Sequence, residues 1–153
     1  MSTISPLITV QELIELNASS KIILIDARAG ANAFETYQKE HLKDARFVDL
    51  NRDLAKIPEN PANGGRHPLP SSEEFSNTLS ALGISPSDHV VFYDDKNGSN
   101  FAARFWWMMR AIGHEKIQVL NGGYQAAIQA NFPTNSGIET FEKTVYPSQE
   151  WKL

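Results

Sequence analysis

Ile22-Ile23-Leu24-Ile25-Asp26-Ala27 is a continuous apolar run that closes on an aspartate, the pattern of a strand buried on both faces of a parallel sheet. His89-Val90-Val91-Phe92-Tyr93-Asp94 repeats it, and Lys116-Ile117-Gln118-Val119-Leu120 supplies a third strand, with a shorter one expected at Arg46–Leu50. Between them the apolar spacing changes to that of helices. Thr9 and Glu12 form a capping-box pair ahead of Val10, Leu13 and Leu16, so a helix is expected to about Asn17. A second helix is read over Ala31–Glu40, with Phe34 and Tyr37 facing inward. A third starts at the Ser71/Glu74 cap, buries Phe75, Leu79 and Leu82, and stops at Gly83. Phe101–Ile112 and Tyr124–Ala130 complete the series. Alternating buried strands and helices specify an α/β domain with a mainly parallel sheet, because parallel neighbours need crossover connections.

In such sheets ligands sit beyond the carboxyl ends of the strands. Two of those ends carry carboxylates, Asp26 and Asp94. The candidate site is therefore the loop Asp94, Asp95, Lys96, Asn97, Gly98, Ser99 and Asn100, with the helix start behind it.

The bulk numbers exclude several classes. A chain of 153 residues with 41% hydrophobic and 21% charged residues is one ordinary globular domain. No run approaches the roughly 20 apolar residues of a membrane helix. The opening Met1–Pro6 has neither basic residues nor an apolar signal core, so a cytoplasmic location is expected. A net charge of −4, with lysines and arginines scattered, argues against nucleic acid as a partner. There is no cysteine, which removes disulfides, thiolate metal sites and any thiol nucleophile.

Two segments break the pattern. Asn51–Pro70 holds four prolines and the Gly64-Gly65 pair, and reads as a long functional or partner-contacting loop. Beyond Asn131 periodicity fades, so residues 1–135 are read as the domain and residues 136–153 as an inter-domain linker or tail. The four histidines, His41, His67, His89 and His114, are dispersed without metal-ligand spacing and are expected in turns or on the surface. No metal or cofactor is expected. Arg28 is expected to pair structurally with Asp26 or a neighbouring carboxylate.

Several blocks, taken in order, resemble the rhodanese-like family. Leu24-Ile25-Asp26-Ala27-Arg28 resembles its first buried strand, and Tyr37 to Ala45 its Tyr-x-x-x-His-Ile-Pro-Gly-Ala turn. Val90–Asp94 resembles the strand feeding its active-site loop. Phe101–Arg110 and Val119-Leu120-Asn121-Gly122-Gly123 are similar to the first domain of two-domain thiosulfate and 3-mercaptopyruvate sulfurtransferases. The resemblance implies a five-stranded, mainly parallel sheet with helices on both faces. It also implies that this is the non-catalytic half, whose partner is a cysteine-bearing second domain. The position equivalent to the catalytic cysteine is then Asp94, or alternatively Asp95. The chain departs from the family at His41-Leu42-Lys43-Asp44-Ala45, which lacks the proline-glycine pair, and its loop from Asp94 to Ala102 is longer than that of active members.

Sulfur transfer needs a soft thiolate that attacks sulfane sulfur and holds it as a persulfide. A carboxylate oxygen is hard, and an acyl–sulfur adduct would hydrolyse. Asp94 is read as an anion capping the amides of the loop and the following helix. Two other readings stand beside the non-catalytic half: a free-standing binding module, and a magnesium site on Asp26, Asp94 and Asp95. A domain shaped against a partner should also keep apolar surface, expected on the outward side of the Trp106–Met109 helix, the 51–70 loop and the tail around Phe141, Tyr146 and Trp151. Weak homodimerisation would follow from that surface.

Overall fold

The computed structural model describes residues 5–28, 32–48, 70–95 and 101–152. Strands are β1 (Leu7–Ile8), β2 (Ile22–Asp26), β3 (His41–Leu42), β4 (Arg46–Phe47), β5 (His89–Tyr93), β6 (Ile117–Leu120) and β7 (Thr134–Asn135). Helices among the described residues are α1 (Val10–Ser19), α2 (Ala33–Lys39), α3 (Ser72–Ala81), α4 (Phe101–Ala111) and α5 (Gly123–Gln129). The main sheet has five strands in the order β1-β6-β5-β2-β4, every pair parallel. The expected α/β class and five-stranded parallel sheet are what the chain forms. The 51–70 loop and the end of the Arg46–Leu50 strand fall outside the described residues, apart from Pro70 and Arg46–Val48.

The apolar runs alternate between two cores, which is why both faces are largely apolar; Gln118 of β6 is buried with its amide bonded to His89 and to Ser5 O. Ile23, Ile25, Val90, Phe92, Ile117 and Val119 point toward Phe75 and Leu79 of α3 and Phe105 and Met108 of α4. Leu24, Val91, Tyr93 and Leu120 point the other way, toward Val10 and Leu13 of α1 and Ala127 of α5. Burying side chains of this size contributes about 1.5–3 kcal/mol each. Both capping boxes form: Thr9 with Glu12 and Ser71 with Glu74 satisfy each other's amides. At the end of α3, Gly83 adopts φ +74°, and the amides of Gly83 and Ile84 return to the carbonyls of Ser80 and Leu79, a Schellman closure.

Three expectations are corrected by packing. Phe34 of α2 is 44% exposed rather than inward; it lies against Phe47 and stacks on Tyr37, which alone on that helix is buried. His41 and His114 are buried, not turn or surface residues, because each ring finds a partner at both nitrogens. Tyr146 of the tail is buried rather than part of an exposed apolar surface, whereas Trp107 gives α4 the exposed outward side that was expected.

The aperiodic segment after Asn131 lies along the domain. β7 pairs antiparallel with β3, and Glu139 meets His41 Nε2 at 2.7 Å. Farther on, Thr144 and Tyr146 donate their amides to the carbonyl and hydroxyl of Ser80 in α3. The Trp151 ring packs 5.4 Å from Phe75, and the Lys152 amide donates to Ala111 O at the end of α4. Apolar side chains in this segment therefore turn inward without helical or strand periodicity to announce it.

The His41–Ala45 turn closes without proline or glycine. Asp44 takes φ +66°, the conformation a glycine would adopt freely, and Ala45 N–H reaches Leu42 O at 2.9 Å. No helix among the described residues is long and apolar enough to cross a membrane.

Candidate functional site

Because β2 and β5 are parallel neighbours, their carboxyl ends lie side by side, with Asp26 in register with Tyr93. The next residue along β5 is Asp94, only 1% exposed. Its Oδ2 accepts the amide of Ala102 in the first turn of α4 at 3.1 Å, and its backbone carbonyl accepts the amide of Tyr124 in α5 at 2.9 Å. One residue thus ties the strand end to two helix starts. The carboxylate fills the place a helix amino terminus offers to an anion. Asp95 is half-buried, and its carbonyl receives the Gln125 side-chain amide at 3.4 Å. Lys96, Asn97, Gly98, Ser99 and Asn100 lie outside the described residues.

Beside Asp94 is a polar cluster whose members are spent on one another. Asp26 is fully buried and pairs with Arg28 at 2.8 Å, both carboxylate oxygens receiving guanidinium donors and Oδ1 also receiving the Arg28 amide. The Tyr93 hydroxyl donates to Asp26 Oδ2 at 2.8 Å and accepts the Leu42 amide at 3.1 Å. Burial first, and the Asp26 charge second, push the Tyr93 hydroxyl well above its ordinary value, so it stays protonated and donating. Burial works against the Arg28 charge, but the hydrogen bond and charge of Asp26 outweigh it, and the guanidinium is held above its usual range.

The outer side of Arg28 is covered as well. Its Nη2 donates to Glu40 O at 2.7 Å and its guanidinium carbon lies 4.1 Å from the Tyr124 ring centroid. The Tyr124 hydroxyl donates to the Glu40 carboxylate; burial and that contact push it up to about 12. Tyr93, Tyr124 and Glu40 were not singled out from the sequence. A tyrosine ending a doubly buried strand is a usable signal, since its hydroxyl must find a partner there.

The chain contains no cysteine, and Asp26 is committed to Arg28 and Tyr93. Among the described residues no group of three or more His, Asp or Glu gathers to hold a metal ion. The cavity of about 510 Å³ bounded by Trp106, Trp107, Arg110, His114 and Lys152 adjoins the carboxyl-terminal half of α4, away from the Ala102 end.

The model of the rhodanese-like domain family matches residues 9–130. Over 138 residues the chain is 31% identical to the 3-mercaptopyruvate sulfurtransferase of Mus musculus, covering 86% of this chain and 45% of the mouse protein. Over 143 residues it is 40% identical to thiosulfate/3-mercaptopyruvate sulfurtransferase 2 of Arabidopsis thaliana, covering 90% and 40% respectively. Among solved structures, the 3-mercaptopyruvate sulfurtransferase of Leishmania major superposes with a TM-score of 0.79 at 29% identity, over 98% of this chain and 41% of that one. The 3-mercaptopyruvate sulfotransferase of Escherichia coli gives 0.74 at 26% identity, over 97% and 56%. The chain spans less than half the length of these curated relatives.

Proposed function

The chain belongs to the rhodanese-like domain family, and on that premise we propose that it is the non-catalytic half of a two-domain thiosulfate or 3-mercaptopyruvate sulfurtransferase. In this reading it supports and covers a cysteine-bearing second domain and transfers no sulfur alone. The observation that carries the proposal is Asp94. At the strand end feeding the helix-start cradle, a buried carboxylate takes up the Ala102 amide where sulfur chemistry would need an accessible thiolate, and no cysteine exists elsewhere to replace it. The Asp26–Arg28–Tyr93 cluster fits a supporting role, since its members are bonded to one another and tie the strand ends together.

The test has two arms. Purified chain should form no thiocyanate from thiosulfate and cyanide, and no pyruvate from 3-mercaptopyruvate. Added in trans to a separately expressed cysteine-bearing rhodanese-like domain from a related two-domain enzyme, it should bind that domain and raise its turnover. Turnover by the chain alone, above a no-protein blank, would overturn the proposal. Absence of any binding in the second arm would favour a free-standing binding module instead.

A further inference from the structure

His114 follows the turn that ends α4 and is 3% exposed. Its ring is held at both nitrogens. Nε2 lies 2.8 Å from the backbone carbonyl of Asp88, and Nδ1 lies 2.7 Å from the hydroxyl of Tyr146. A carbonyl only accepts, so Nε2 carries the proton and the neutral ring leaves Nδ1 free to accept from Tyr146. The two rings also stack at 5.9 Å.

Tyr146 belongs to a strap, residues 141–152, that contains neither helix nor strand. The strap's other anchors run to the body of the domain. Thr144 donates through its amide to Ser80 O and through its hydroxyl to Ile84 O. Trp151 Nε1 donates to Pro70 O and the Lys152 amide to Ala111 O. The Tyr146–His114 bond joins two side chains, one of them titratable near neutral pH.

The surroundings make a second proton on this ring costly. Two cavities, of about 510 and 190 Å³, reach His114, and both are bordered by Lys152 of the strap, so water has a path to the ring. Charged groups around it are Asp88 and His89 at the start of β5, Lys116 before β6, Arg110 from α4, Glu115 beside it, and Lys152. Burial is the largest cost of protonating the ring; Asp88 favours the charged form, while His89 and Lys116 oppose it. Protonation would also turn Nδ1 into a donor, so the Tyr146 hydroxyl would have to switch from donor to acceptor and its own buried proton would lose the acceptor it has on the neutral ring.

We propose that residues 144–152 form a proton-operated clasp, latched by neutral His114 on Tyr146 and released when that ring is protonated. Release uncovers the Phe75 face of α3. The upstream part of the tail stays tied through β7 and the Glu139–His41 contact, which fixes where opening begins. Burial holds His114 below the ordinary histidine range, in keeping with a ring that folds neutral. The sign follows: the unfolded or unlatched chain binds the proton more readily. The latch is therefore fully effective above the ordinary histidine value of about 6.5 and is lost as pH falls below it.

The experiment is amide exchange by NMR on the full chain between pH 7.5 and 5.0, corrected for intrinsic exchange, with the His114 ring signals followed in parallel. Protection at Thr144, Tyr146 and Lys152 should fall severalfold as His114 titrates. Val91 and Phe92 in the sheet should stay protected. In His114→Gln the strap's protection should be independent of pH across that range. Should that variant not fold, Tyr146→Phe serves: its strap should be less protected at pH 7.5 and respond less to acid. Strap and sheet amides losing protection together, a strap indifferent to His114 titration, or an undiminished pH response in the variant would each overturn the proposal.

Discussion

The carboxylate of Asp94 accepts the amide of Ala102 at 3.1 Å from a position that is only 1% exposed. A helix start that would bind an anion from solution is supplied with one by the chain itself. Asp94→Ala should therefore cost about 0.5–2 kcal/mol, the range for losing a side chain that satisfies helix-start amides. Asp94→Cys should restore no thiocyanate formation, because a thiol in this buried place is out of reach of substrate and poorly placed, and about 1 Å of misplacement can lose 100-fold in rate. Slow labelling of that single cysteine by a thiol reagent would show the burial directly. Turnover comparable to that of a two-domain enzyme would refute the geometric reasoning.

Asp26 and Arg28 make a buried pair in which each group answers the other's charge. Arg28→Met leaves the Asp26 carboxylate buried with only the Arg28 position's amide and Tyr93 as donors, and should cost about 3–5 kcal/mol. Combining it with Asp26→Asn should cost clearly less than the sum of the two single changes, because the double variant leaves no unpaired charge. Urea unfolding of the four proteins measures this; additive losses would mean that the pair is not coupled.

The turn at Asp44 offers a test with a sign. Asp44 sits at φ +66°, where a side chain is strained and glycine is not. Asp44→Gly should raise stability by about 0.5 kcal/mol, the relief exceeding the entropy that glycine adds to the unfolded chain. Lys43→Pro should do the opposite, because the Lys43 amide donates to Pro133 O at 2.9 Å and proline has no donor. Thermal unfolding of the two variants should thus move in opposite directions. The family's proline-glycine pair is accordingly only half transferable to this chain.

The sequence made legible what depends on local pattern. The three doubly buried strands, both capping boxes and the left-handed stop at Gly83 each follow from residues within one turn or one strand. The two-residue strands β1, β3 and β7 leave no periodicity to detect. Burial of His41 and His114 depends on partners 98 and 32 positions away, Glu139 and Tyr146, so no local signal announces it. Asp94 was readable because it ends a strand. Tyr93 and Tyr124 were not, since their roles rest on which elements the sheet brings together.

The same distinction governs the tail, and truncation exposes it. A chain ending at residue 135 keeps every element with a sequence signature, yet it loses the strap. It gives up Tyr146, 6% exposed, the Trp151 ring against Phe75 at 5.4 Å, and Phe141 beneath the Arg46 guanidinium at 4.2 Å. It also loses the amide bonds from Thr144 and Tyr146 to Ser80 and leaves Phe75 facing solvent on one side. Removing a single large aromatic from a core costs about 3–5 kcal/mol, and a whole domain is stable by only about 5–15 kcal/mol. Residues 1–135 should therefore unfold at a much lower urea concentration than residues 1–153, or fail to fold at 37 °C. Adding the peptide 136–153 in excess should recover part of the loss through mass action, since it binds only the folded form. Equal urea midpoints for the two chains would show that the strap lies on the domain without holding it.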